Sequence, residues 1–571
     1  MLIVFSALNT VLPSLAMPPN QFPKWMEDEV VEPHKEPHNF LIWDLKFPYG
    51  IASGDVTDHS AILWTSVNQE AVIRVEVSTD PDFSNVIYVK DVHTDAQDDY
   101  TGKVLVTGLQ PDETYFYRWS QASTFSEIGS FTTAPHPSTV STYRGNVSFI
   151  WTGNSDASKL NGTLLFGDGN LLNAEKNTNG KAPDFFVSLG DVIYDNAPAT
   201  RQSPDAESLD DYRQMYKDSR QVRNLHDLLK STSLFAVWDD HGAKDRWSGQ
   251  PGTPELYEIR TKAFYEYMPS ERSAIATEKS ECIGPPKFGL SHWGSNIDLI
   301  FLDTHSCRSP SIENVCHKEP APTFTEIIRR YSERLTTTSS PVGCMDAIND
   351  PERTLLGVTQ KALLKKSLLD STAKFKFVIT PVPIQQGYEP SYDGWEDYGA
   401  ERREVLNFIK DNQIKNVIFL SNSKNLSMIN EVNIDRFTNS TPIAYEFVTS
   451  SLTSVTDQQW IEGTMKVSLP TSHHTVAGIE CLPSNRYTYG SVEIDDSNEI
   501  AQVSLKDQDG NIVHDSKDSS IPCTKSFLTP LERNTPPSPD LDSEIRQLAD
   551  GAPSSGLVSV PLPLPNILTI K

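Results

Sequence analysis

The sequence predicts an α/β core, β-sheets flanked by helices, preceded by an all-β sandwich. Three observations carry this. From Ala61 to about Pro135 short runs alternate apolar with polar residues at period two (AILWTSV, AVIRVEVS, GKVLVTGL, TYFYRW), separated by turn-rich stretches such as DPDFSN and QPDET. After Val147 the runs become continuously apolar (VSFIW, DFFVSL, LFAVW, IDLIFL, FKFVIT, NVIFL), as strands buried on both faces require. Between the later runs lie helical stripes, Leu363, Leu364, Leu368 and Leu369 in one and Val405, Leu406, Phe408 and Ile409 in another.

A chain of 571 residues exceeds what one hydrophobic core organises, and 37% apolar residues with ten Trp suffice for two. The leader LIVFSALNTVLPSLA reads as a signal peptide over residues 1–16, although no Lys or Arg precedes Lys24. Residues 17–45, Pro-rich and charged without period, read as an extended leader. Residues 46–135 form the sandwich, in which Leu109, Pro111, Tyr115 and Tyr117 lie where fibronectin type III domains place a turn followed by core aromatics. Its aromatics read as core, with no chemistry assigned. Residues 146–515 form the α/β domain. In it AYEFVTS, YTYGSVEI and IAQVSLKD alternate without intervening helices and predict an antiparallel portion. Residues 528–571, rich in Pro, Ser and Asp, read as a disordered tail.

A net charge of -27 with no basic stripe argues against nucleic acid as a structural partner. No window of eighteen apolar residues predicts a transmembrane span. The leader, six Cys and four Asn-x-Ser/Thr acceptors at Asn146, Asn161, Asn425 and Asn439 together predict a secreted, extracellular, disulfide-bonded glycoprotein. Cys282, Cys307, Cys316 and Cys344 crowd into one Pro-containing region that reads as a stapled insertion, and Cys481 with Cys523 supplies material for a further bridge. No C-x-x-C pair supports a zinc reading.

In α/β sheets ligands collect at the carboxyl ends of strands, so the polar residues following each apolar run are the candidates. They are Thr152 to Asp156, Gly190 to Tyr194, Asp239 to His241, Asp303 to His305, and Ser421 to Lys424. Carboxylates and imidazoles converging there could hold hard or borderline metal ions, which polarise a phosphoryl oxygen and acidify water. No G-x-S-x-G elbow, P-loop or H-E-x-x-H offers a different chemistry. The pair His473 and His474 reads as solvated.

The order of segments resembles the alkaline phosphatase D (PhoD-like) metallophosphoesterases. FPYGIASGDV (47–56) and ILW (62–64) are followed by PDFFVSLGDVIYDNAP (183–198), WDDHG (238–242), LDT (302–304), the Gln360 helix and the 402–419 stretch. The resemblance spans roughly residues 46–515 and implies metal-assisted hydrolysis of phosphate mono- or diesters, with divalent or trivalent ions of the calcium or iron class. The substrate class it implies is a phosphate-ester small molecule or a lipid head group. It assigns Asp191 as the bridging metal ligand and Tyr194 as a ligand. It places Asp240 among the ligands and His241 beside the phosphoryl group or leaving oxygen, in the family's Asp-Asp-His-Glu segment.

Three departures thin this set. Gly153-Asn154 stands where relatives carry Gly-Asp, and Gly242 replaces the Glu. Asn422-Ser423-Lys424 stands where relatives carry Asp-Val-His. Asn154 and Asn422 can each offer one neutral oxygen but no charge, and the Lys424 ammonium opposes a nearby cation while suiting a phosphate. Each retained residue also has a local role open to it: Asp191 as a helix cap, Asp240 and His241 as loop satisfiers, Tyr194 as core. Two functions follow: a phosphohydrolase with eroded or weak activity, or a pseudoenzyme that binds a phosphorylated ligand or protein partner without turnover.

Overall fold

The computed structural model describes residues 46–138, 146–154, 168–193, 208–239, 254–272, 282–283, 286–312, 315, 343–385, 394–423, 426–434, 441–450, 478–483, 486–495, 499–516 and 518–528. The alternating runs at the start form a sandwich. Ile73, Val75 and Val77 of the Ala71–Ser78 strand point inward, as do Tyr115, Tyr117 and Trp119 of Thr114–Gln121, while the residues between them face out. They meet Leu63, Val104 and Val106 of the facing strands Ser60–Ser66 and Thr101–Thr107.

The sandwich is not a free-standing unit. Its Ile51–Gly54 strand pairs antiparallel with Ser60–Ser66 on one side and parallel with Ser233–Ala236 on the other, so one of its sheets runs on into the core. The resulting nine-stranded sheet continues through Phe185–Ser188, Asn146–Thr152, Tyr489–Asp495, Ile500–Lys506 and Thr524–Leu528. The end of the Pro254–Tyr267 helix strengthens the joint. The Trp64 indole N–H donates to the Glu266 carbonyl at 2.7 Å, Lys103 to the carbonyls of Ser270 at 3.0 Å and of Tyr265, and Arg220 to that of Tyr267. A helix C-terminus leaves carbonyls unpaired and carries partial negative charge, so cations from the sandwich and from a neighbouring helix are suited to close it.

A second sheet of seven strands faces the first, in the order Gly289–Trp293, Ile297–Phe301, Phe375–Ile379, Val417–Asn422, Ala444–Thr449, Met428–Val432, Ile479–Cys481. Aromatic rings fill the seam between the sheets. Phe149 meets Phe377 edge-on at 5.3 Å, Phe185 lies 4.3 Å from Trp293, and Phe235 stacks on Phe301 at 5.3 Å. Helices cover both outer faces: Leu171, Tyr212, Leu228 and Phe264 on the first sheet, Leu364, Leu368, Val405 and Ile409 on the second. Both sheets are thus buried on two faces, which explains the uninterrupted apolar runs.

One strand departs from the expectation. Ala444–Thr449 pairs parallel with Val417–Asn422 as well as antiparallel with Met428–Val432, and belongs to the second sheet rather than to the antiparallel hairpin of Tyr489–Asp495 and Ile500–Lys506. The apparent polar position, Glu446, is fully buried. It accepts from the backbone N–H of Ile384 (2.7 Å) and Gln385 (3.1 Å), Ser421 Oγ (2.8 Å) and Asn430 Nδ2 (2.9 Å). The alternation came from a buried carboxylate, not from a solvated face.

Cys282 is bonded to Cys307 and Cys481 to Cys523; Cys344 is also disulfide-bonded, to a cysteine outside the described residues. Asn146 is exposed at a strand start, whereas Asn161, Asn425 and Asn439, like residues 1–45 and the chain after Leu528, lie outside the described residues. No described helix is long and apolar enough to cross a membrane.

Candidate active site

Three adjoining parallel strands of the first sheet end at one place. Register pairs Phe185 with Phe149 and with Ser233, and beyond the strands the ladder continues: Leu189 N–H donates to Thr152 O at 2.8 Å, Val237 N–H to Ser188 O at 3.0 Å, and Asn154 N–H to Gly190 O at 3.3 Å. There the backbone turns left-handed, with φ of +55° at Asn154, +95° at Gly190 and +52° at Asp191. Gly190 is obligatory, because a side chain starting there would lie 2.5 Å from Asp239 Cβ. These turns bury Asn154 and Asp191 together at the mouth of the seam, at 2% and 5% exposure.

The second sheet contributes Asn422. A side chain on Gly153 would start 2.8 Å from Asn422 Nδ2, so the carboxamide lies directly on Gly153. Asn422 Oδ1 accepts from Thr449 Oγ1 at 3.1 Å, while its buried Nδ2 has no partner among the described residues. The strand-end rule therefore brings Asn154, Asp191 and Asn422 into one neighbourhood. Tyr194, Asp240, His241 and Lys424 lie outside the described residues, as do His473 and His474.

Two further strand-end candidates, Asp303 and His305, lie in this neighbourhood, and the roles they take there were not legible in the sequence. Asp303 is a turn builder: its carboxylate accepts from the backbone N–H of His305, Ser306 and Lys287 (each 2.9 Å) and from Ser306 Oγ (2.6 Å). His305, on that turn, is 0% exposed and places Nε2 3.3 Å from Asp239 Oδ1. The only signal was position, since both residues follow apolar runs.

Among the described residues no group of three or more His, Cys, Asp or Glu side chains lies close enough together to hold a metal ion. Of the ligand candidates named from the resemblance, those described are one carboxylate, Asp191, and two carboxamides, Asn154 and Asn422. Hard oxygen donors fit a hard cation in kind, but with one negative charge among three they are short in charge.

A buried junction of two helix-covered sheets, extended by a β-sandwich and with polar residues gathered at the strand ends, defines a sandwich-capped metallophosphoesterase-like fold. A family model described as PhoD-like phosphatase matches residues 166–505, more than half of the chain, and one described as PhoD-like phosphatase, N-terminal domain, matches residues 37–135. The chain belongs to the PhoD-like phosphatase family. It is similar to "Alkaline phosphatase D" of Bacillus subtilis (strain 168), 25% identical over an alignment of 452 residues that covers 72% of this chain and 69% of that relative. Among solved structures it is similar to "Structure of PhoD", with TM-score 0.64 and 19% identity, covering 89% of this chain and 98% of the other. A purple acid phosphatase from yellow lupin (Lupinus luteus) seeds superposes with TM-score 0.51 and 9% identity, covering 85% of this chain and 75% of that one. At those identities the two structural likenesses speak for the fold.

Proposed function

We propose that this chain is a phosphoric ester hydrolase of weakened activity, acting on a phosphate-ester small molecule or lipid head group with metal assistance. The observation that supports the reading is the contrast at the strand ends: the backbone is bent left-handed to crowd Asn154 and Asp191 together, yet among the described ligand candidates Asp191 is the one carboxylate, beside two carboxamides. Asp191, with oxygens of Asn154 and Asn422 and with Tyr194 and Asp240, would hold the ion. A bound ion of the calcium or iron class polarises a phosphoryl oxygen and supplies an acidified water. The chain's own residues exclude bulk water by burial and fix the strand ends, and His241 would stand beside the phosphoryl group or leaving oxygen.

The Asn422 carboxamide favours a second reading. A buried N–H donor without a partner among the described residues is suited to an anionic oxygen and opposes a cation, which supports a pseudoenzyme that binds a phosphorylated ligand without turnover. Secretion into an oxidising compartment is supported by the bonded cysteines.

Elemental analysis of dialysed protein, paired with assays on a phosphomonoester and a phosphodiester, separates the readings. Less than two ions per chain with slow, chelator-sensitive turnover is the expected result. Asp191→Ala should abolish both retention and turnover, by at least roughly 100-fold, because it removes the last carboxylate of the described set. Two tightly held ions with fast turnover would overturn the weakened-site reading, and phosphate binding without turnover would favour the pseudoenzyme.

A further inference from the structure

We infer that His305 and Asp239 are a positioning pair that fixes the gap between the two sheets at the site, an inference that rests on the hydrolase reading. The two residues come from opposite sheets: Asp239 follows the Ser233–Ala236 strand of the first, and His305 follows Ile297–Phe301 of the second. The same two strands carry Phe235 and Phe301, stacked at 5.3 Å, so the pair closes the open end of an aromatic seam.

Each partner is itself immobilised. His305 rides on the turn that Asp303 builds with four accepted hydrogen bonds. That turn is clamped from behind by buried Gln360, which accepts from Asp303 N–H at 2.7 Å and donates to Asp303 O at 2.8 Å. Asp239 is pressed against Gly190, the residue before Asp191, so close that no side chain fits at 190. A shift of Asp239 is therefore passed directly to the Asp191 turn, and Asp239 also begins the segment that carries Asp240 and His241. Catalytic groups drawn from two sheets need their spacing held to a fraction of an ångström, because a misplacement of about 1 Å can cost roughly 100-fold. A close contact from sheet to sheet, with His305 Nε2 3.3 Å from Asp239 Oδ1 between two clamped turns, meets that need at the point where the two half-sites meet.

The test uses the full-length, disulfide-bonded protein and the variants His305→Leu, His305→Gln and Asp239→Asn. Arg213→Met is the stability control, because it opens a buried pair elsewhere, Arg213 to Glu266 at 2.8 and 2.7 Å. Measured per folded chain are retained metal and kcat and KM for p-nitrophenyl phosphate and its bis ester. His305→Leu and Asp239→Asn should lower kcat at least roughly tenfold with KM within about twofold, and lower metal retention. His305→Gln, which keeps a side-chain N–H, should recover most of the loss, and Arg213→Met should change none of these readouts. If the His305 variants lose activity only in proportion to folded fraction, as the control does, the pair is structural and the inference is wrong. Should the wild-type chain hold no ion and hydrolyse neither ester, the hydrolase reading falls and takes the pair with it. An active wild type with His305→Leu unchanged sinks the pair alone.

Discussion

The two sheets end differently at the site. On the first, Asn154, Gly190 and Asp191 leave regular geometry within a few residues of their strands, and all three adopt left-handed backbone. On the second, Asn422 is still inside a regular parallel ladder, paired with Thr449, and Ser423 N–H continues it to Thr449 O at 2.9 Å. Left-handed conformations at residues with a side chain cost about 1 kcal/mol or more each and persist where the surroundings enforce them. The first half-site thus retains an unfavourable local geometry that positions Asp191, while the second is an ordinary strand carrying a neutral side chain. The difference teaches that the two half-sites are built differently, one on a bent backbone that carries a carboxylate and the other on a regular strand that carries a carboxamide.

The strongest way to break the comparison is to disturb the shaped side. Gly190→Ala forces a side chain to within 2.5 Å of Asp239 Cβ at φ +95°, and should cost about 3 kcal/mol in denaturant unfolding and remove metal retention. Gly153→Ala, which meets the end of the Asn422 side chain, should cost about half of that. Equal costs for the two would mean that the first half-site is no more constrained than the second.

Restoring charge sharpens the comparison from the other side. Asn154→Asp, Asn422→Asp and Lys424→His together return the ligand types of the family and remove one cation. If shape is intact and charge is what was lost, turnover should rise at least roughly tenfold, equal to about 1.4 kcal/mol in the transition state. The measurement is kcat/KM on a phosphodiester beside ion content. A wild type already as fast as the triple variant would show that no charge was missing.

Much of this was legible in the sequence, for identifiable reasons. Strands buried on both faces write themselves as unbroken apolar runs, and the strand-end rule picked out Asn154, Asp191 and Asn422. The pairing of Ile51–Gly54 with Ser233–Ala236 was not legible, because Ser53 and Ser233 lie 180 residues apart and no local pattern records such a partner. Glu446 misled because a carboxylate with four donors around it looks, in one dimension, like a solvated one. The Asp239 to His305 contact was hidden for the same reason as the strand pairing: each residue belongs to a different sheet.

Glu446 gives a smaller prediction. Burial pushes its carboxyl above the usual carboxylate range, its hydrogen bonds opposing, and Glu401 moves in the same direction for the same cause. A raised folded pKa means that the folded chain holds the proton more tightly than the unfolded one. The stability is full below the unfolded carboxyl pKa and is lost as pH rises through the folded one. Melting temperature should therefore fall with pH across that window. Glu446→Gln should cost about 1 kcal/mol, since an amide N–H faces a backbone N–H, and should flatten the slope by its share. An unchanged slope would mean that Glu446 is ionised in the folded chain throughout.

The smallest expected effect is that of Asn422→Asp alone. Its new oxygen takes the place of Nδ2, buried over Gly153 where the amide has no partner among the described residues, so without a cation it is a desolvated charge. Ligands that act as one coordination unit are not additive, so turnover should change by less than about threefold. Calcium titration followed by melting temperature checks the rest: the variant should gain more from added ion than the wild type does. If Asn422 instead serves an anion, the same substitution should weaken orthophosphate binding while calcium leaves its melting temperature where it was, and the comparison then reads as a cation half-site facing an anion half-site.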